Sequence, residues 1–148
     1  MAFFLRYICA NPLGARVPPS WPEETSETGY LEAEGLAADT GQKLAQVETG
    51  SAFACRSRYD KPGLVPSEHA KGDAIDIGSF VLADGRRIPV KQQNFDIPLS
   101  THLVHALRMT ACGYFTTVLG PGSDTAHEEH LHFDSGMHGA TPNYRICE

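Results

Sequence analysis

The residues able to do chemistry fall in two short segments. The first is Ser67-Glu68-His69-Ala70-Lys71-Gly72-Asp73-Ala74-Ile75-Asp76, and the second is His127-Glu128-Glu129-His130-Leu131-His132. A catalytic zinc takes three protein ligands from His, Asp or Glu and keeps one position for water. His69 reads as a loop residue and Asp76 as the start of a strand. Gly72 and Ala74, both small, let the chain between them fold back and bring both side chains to one ion. Side chains alternate along a strand, so His130 and His132 face the same side. The pattern points to a zinc held by His69, Asp76 and His132. On spacing alone a second reading stands beside it: a lone histidine is more often a surface or satisfied core residue, and Asp76 can simply cap a turn.

Several elements must position these residues. Ala74–Leu82 is rich in Ile, Val and Phe and reads as a strand; Asp84-Gly85 makes a turn and Arg86–Val90 returns, a β-hairpin signal. Ser100–Tyr114 is the best helix, with Ser100 or Thr101 as cap, Leu103, Val104, Leu107 and Ala111 on one face, and Gly113 near the stop. Phe115–Leu119 and His130–Asp134 read as strands, separated by the breaker Gly120-Pro121-Gly122. Leu31–Val47 has weak helical character, with Leu31, Leu36 and Leu44 as core positions, and Ser51–Arg56 reads as a short strand. Residues 1–30, with Pro12, Pro18, Pro19 and Pro22, read as an extended arm, leaving 31–148 as the domain. Helix and hairpin without a βαβ rhythm give an α+β class: one compact domain with a small antiparallel sheet flanked by helices.

The 148 residues suit one domain, and an apolar fraction of 41% suffices for one core. A net charge of -6, from 12 basic and 18 acidic side chains, excludes nucleic-acid binding through a broad basic face. No apolar run is long enough for a membrane span. The opening MAFFLRYICANP is a poor export signal, because Arg6 interrupts a short apolar stretch; the expectation is a cytoplasmic chain or one whose signal lies upstream. Cys9, Cys55, Cys112 and Cys147 contain no close pair of the metal-binding kind. A dispersed even set fits one or two disulfides in an oxidising compartment, with buried thiols as the alternative and three pairings open.

Ser67-x-His69-x-x-Gly72-x-Ala74-x-Asp76 followed by His130-x-His132 resembles the paired motif of the LAS zinc peptidases, the superfamily of lysostaphin-type, D-Ala-D-Ala and hedgehog-type domains. Ala54-Cys55-Arg56, Ser67-Glu68-His69-Ala70, Ala74-Ile75-Asp76-Ile77, Asp84-Gly85-Arg86, Val118-Leu119-Gly120-Pro121-Gly122 and His130-Leu131-His132-Phe133-Asp134 resemble the bacterial extensin-like C-terminal domain family. That resemblance covers about Gly50 to Cys147. It implies a hedgehog- or DD-peptidase-like fold with one zinc ion on His69, Asp76 and His132. It also implies hydrolysis of an amide bond in bacterial peptidoglycan stem peptides or crosslinks, in the periplasm or cell envelope.

The resemblance further supplies roles. The general base maps onto Glu129, as in D-Ala-D-Ala dipeptidases, or onto His130 with His127, as in other LAS peptidases. Strand parity puts Glu129 opposite His132, which favours His130. Arg56 maps onto an arginine that contacts the scissile carbonyl or a substrate carboxylate; on composition alone it is an ordinary surface residue. Ser67 is a substrate or ligand-supporting hydrogen-bond donor. His102 and His105 belong to the helix surface or packing face, and His138 carries no role. The alternative function is a catalytically silent peptidoglycan-binding module with the same fold and metal.

Overall fold

The computed structural model describes residues 41–50, 53–61, 65–91, 98–141 and 144–148. The expected arm over 1–30 and the first part of the expected helix, 31–40, lie outside these. The described elements are β1 (Leu44–Thr49), a 3-10 turn (Arg58–Asp60), α1 (Glu68–Lys71), β2 (Ala74–Leu82), β3 (Arg87–Pro89), α2 (Pro98–Tyr114), β4 (Thr117–Leu119), β5 (Leu131–Asp134) and β6 (Ile146–Cys147). The six strands form one sheet in the order β1-β2-β5-β4-β6, with β3 on β2. Every pairing is antiparallel except β4 with β6, so the sheet is mixed and the class is α+β. The expected small antiparallel sheet is present, with β6 added in parallel at its edge; its two residues are too short to announce a strand.

The hairpin forms as the sequence predicts. Gly85 has φ 84°, which a glycine adopts without strain, and Leu82 N–H donates to the Arg86 carbonyl across the turn (2.9 Å). Two expectations are overturned. Leu44–Val47 is not helical but opens β1, because it lies antiparallel along the second half of β2 and that pairing outweighs a weak helical pattern. Leu44 is nevertheless buried, as expected. Residues 53–56 are not a strand. The last rung of β1 with β2 is Gly50 N–H to the Asp76 carbonyl (2.8 Å), after which the chain leaves the sheet and bonds to α1 and the residue before it, through Ala54 N–H to His69 O and Ser67 N–H to Arg56 O. Helix α2 starts at Pro98, earlier than the expected Ser100 cap, since proline suits a first helical turn.

β2 presents different faces along its length. Ile75 and Ile77 pack against the core, yet so do Phe80 and Leu82, which have the opposite parity. The register explains this: Glu48 pairs with Ser79 but Thr49 pairs with Ile77, so Gly78 is an extra residue, a β-bulge. The bulge turns the strand over, and Asp76 can face away from the core while Phe80 is buried within it. On β5, Leu131 and Phe133 enter the same core, Phe133 stacking on Phe115 at a 5.2 Å centroid distance. Val104, Leu107 and Ala111 of α2 cover that face. Cys112 of α2 is bonded to Cys147 of β6, which ties the helix end to the sheet edge; Cys55 is also disulfide-bonded. Disulfides belong to oxidising compartments. Among the described residues, no helix is long and apolar enough to cross a membrane.

Candidate metal centre

The face of the sheet turned away from α2 carries the site. Asp76, His132 and Leu119 lie side by side on β2, β5 and β4, and Ala74, Asp134 and Thr117 form the next rung. His69 comes from α1, a single turn whose ends are set by sequence. Ser67 caps it, its hydroxyl accepting from His69 N–H (3.3 Å), and Gly72 ends it in the left-handed conformation at φ 78°. Ser67 thus orients the turn that bears His69, and it also lines the cavity. Gly72 makes the fold-back expected between His69 and Asp76.

His69, Asp76 and His132 converge. His69 Nε2 lies 3.2 Å from Asp76 Oδ1, His132 Nδ1 lies 3.0 Å from the same oxygen, and the two nitrogens are 3.1 Å apart. Ligand atoms around a tetrahedral ion with bonds of about 2.0 Å sit about 3.3 Å from one another, so the triangle has the dimensions of three zinc ligands. Protons satisfy it poorly. With an N–H on both rings donor meets donor, and with one proton the other lone pair faces a carboxylate oxygen. A cation satisfies all three atoms.

The charges reinforce one another. Burial alone would raise the Asp76 carboxyl, but hydrogen bonds with His132 and His69 outweigh it and hold the group well below the usual carboxylate range. Burial disfavours the charged form of His132, yet hydrogen bonds to Asp134 and Asp76 overcome this and push its pKa up to about 9. Asp134 is buried, which would raise it, and its bonds to His132 and His138 keep it low. His130 is lowered by burial, against the pull of Asp76 and with the neighbouring histidines adding to the fall.

A cavity of about 380 Å³ opens over the triangle. Of the residues singled out in the sequence, Arg56, Ser67, His127 and His130 line it together with His69 and His132. His130 Nε2 lies 3.5 Å from Asp76 Oδ1. The His127 ring stands 5.3 Å from that of His130 and 5.4 Å from that of His132. Glu129 does not line it: its side chain is 64% exposed and pairs with Lys91. His105 is exposed on α2, and the His102 side chain lies outside the described residues.

Other residues enter the site unforeseen. Asp134 accepts from His132 Nε2 (3.1 Å), and the cue was available, since two residues past His132 on a strand is the same face. His138, given no role from sequence, bonds Asp134 at 2.8 Å from a loop that no periodicity describes. Asp124 holds His127 Nδ1 at 2.8 Å and also accepts from Ala126 N–H, in a tight turn. Burial would raise Asp124, but the His127 bond keeps it low and ionised, so it accepts from His127 Nδ1 and fixes the orientation of that ring.

No curated protein and no solved structure matches the chain. The family described as extensin-like protein C-terminus matches residues 30–148, well over half of the sequence and with it every residue of the triangle and cavity. The chain therefore belongs to the extensin-like protein C-terminal family.

Proposed function

We propose that this domain is a zinc-dependent hydrolase of the LAS type, cleaving an amide bond in the stem peptides or crosslinks of bacterial peptidoglycan in the periplasm or cell envelope. The observation that carries the reading is the triangle of His69, Asp76 and His132, whose edges of 3.0–3.2 Å suit a tetrahedral ion beneath an open cavity. Three protein ligands leave one position for water or substrate, the pattern of a catalytic rather than a structural site. Zinc, when held there, supplies Lewis acidity and makes hydroxide available near neutral pH.

The chain's own groups then divide the remaining work. His130 borders the triangle and takes a proton as general base, its lowered pKa keeping the ring neutral and receptive. His127, oriented by Asp124, holds or returns a proton on the same side of the cavity. Arg56 on the cavity wall meets the negative charge that develops on a carbonyl oxygen, or a substrate carboxylate. The disulfides suit the oxidising compartment in which peptidoglycan lies.

Digestion of purified muropeptides followed by mass spectrometry tests this reading. The zinc-loaded chain should release new peptide products, and His132→Ala should release none and bind no metal. Binding of muropeptides with no new products would instead make the domain a silent binding module.

A further inference from the structure

Behind His132 runs a line of polar side chains that the metal reading leaves unused. Asp134 and His138 are both buried, with 3% and 8% of their side chains exposed. His132 Nε2 bonds Asp134 Oδ2 at 3.1 Å, and His138 Nε2 bonds Asp134 Oδ1 at 2.8 Å. His138 Nδ1 meets Arg58 Nη2 at 2.6 Å. The same nitrogen reaches Glu68 Oε1 at 3.2 Å, and Lys71 closes on Glu68 from the other side at 2.8 Å.

The direction of each bond in this line is fixed by chemistry. A guanidinium only donates, so His138 Nδ1 accepts and its proton sits on Nε2. That proton is donated to Asp134, an ionised carboxylate, which only accepts. Asp134 likewise accepts from His132 Nε2, so the nitrogen left to exchange its proton for a metal is Nδ1, the atom in the triangle. Gly136 makes the line possible. Its N–H also bonds Asp134 (2.9 Å), and a Cβ there would sit 2.5 Å from the Glu68 carboxyl carbon, so a side chain at this position would push that carboxylate away.

We infer that Arg58, His138 and Asp134 form a directional relay that sets the tautomer of His132 and so presents Nδ1 to the metal. The three are positioning residues, and the inference rests on His132 being a metal ligand as proposed above. It extends the requirement for a metal-binding histidine to anchor its second nitrogen on a carboxylate by two further residues, one of them from the turn before α1.

Two measurements on the full chain test it. In the nitrogen spectrum of the metal-free protein, His138 should carry its proton on Nε2, and Arg58→Met should release that preference. In zinc titrations, His138→Ala should weaken binding roughly 10–100-fold. His138→Gln keeps a donor near the Nε2 position and should recover most of the loss, which a merely structural role would not give. A His138 proton on Nδ1, wild-type zinc affinity in His138→Ala, or equal losses in His138→Ala and His138→Gln would overturn the relay. Should the wild-type chain take up no zinc, the proposed function fails, and the nitrogen spectrum still decides the relay.

Discussion

Among the side chains of the site, Glu129 and His130 are the two candidates for the proposed role of base. Glu129 and His130 are neighbours in sequence, yet they have opposite environments. His130 lines the cavity and lies 3.5 Å from Asp76, whereas Glu129 points to solvent and pairs with Lys91. His130→Ala is therefore expected to lower turnover about 10²–10⁴-fold with zinc retained, the usual contribution of a positioned acid or base. Glu129→Ala should leave turnover near wild type, because a solvent-exposed ion pair contributes little. Steady-state kinetics with parallel zinc analysis checks both, and the reverse pattern would assign the base to Glu129. Much at this scale could be read from the sequence. Residue type and the small residues between His69 and Asp76 offered the triangle beside an ordinary reading of the same residues, and the family resemblance favoured it. Asp134 was equally readable from strand parity, but a carboxylate draws no notice until its partner is known. Asp124 and His138 were not readable, because irregular turns bring them to the site.

Elements position the candidate ligands through two local devices. One is the single turn of α1, held between the Ser67 cap and the left-handed Gly72. A side chain at φ 78° is strained, so Gly72→Ala should cost about 1–2 kcal/mol and weaken zinc binding through His69. Thermal melts in the presence of chelator separate the stability effect from the metal effect, and an unchanged melting temperature would contradict the strain argument. The second device is the bulge at Gly78, which turns Asp76 toward the site while keeping Phe80 and Leu82 in the core. The hairpin and α2 were readable because apolar periodicity and turn residues agree there. The start of β1 was not, since Leu44–Val47 has the composition of a weak helix and becomes a strand only by pairing with β2. A bulge is likewise a property of two strands in register, and neither strand encodes it alone.

For the molecule as a whole, the disulfide acts on stability, and the proposed metal binding is linked to stability through charge. The Cys112–Cys147 bond closes a loop with a sequence separation of 35. Chain entropy gives it about 3–4 kcal/mol, so calorimetry of Cys112→Ser with Cys147→Ser should show a melting temperature lower by roughly 10 °C. An unchanged value would mean that β6 needs no tether. The site adds a pH dependence whose sign follows from the shifts. His132 is raised to about 9, so its contribution to the metal-free fold is full below about pH 6.5 and lost as pH rises through 9. Asp76 and Asp134 are lowered, so theirs is present above about pH 4 and lost on acidification. As far as these groups act, the metal-free protein should be most stable between about pH 4 and 6.5. Zinc must displace the His132 proton, so the melting increment from zinc should grow from pH 6 toward 9. Melts with and without chelator across that range give the answer, and an increment that shrinks as pH rises would contradict it.

The claim on which the account depends is that His69, Asp76 and His132 hold one metal ion. The most direct measurement is the zinc content of the full chain by mass spectrometry of the metal after exhaustive dialysis, compared with His69→Ala and Asp76→Ala. The account predicts one zinc per wild-type chain and loss of it in both variants. A wild-type chain that holds no stoichiometric zinc, or a His69→Ala chain that retains it fully, would contradict the account.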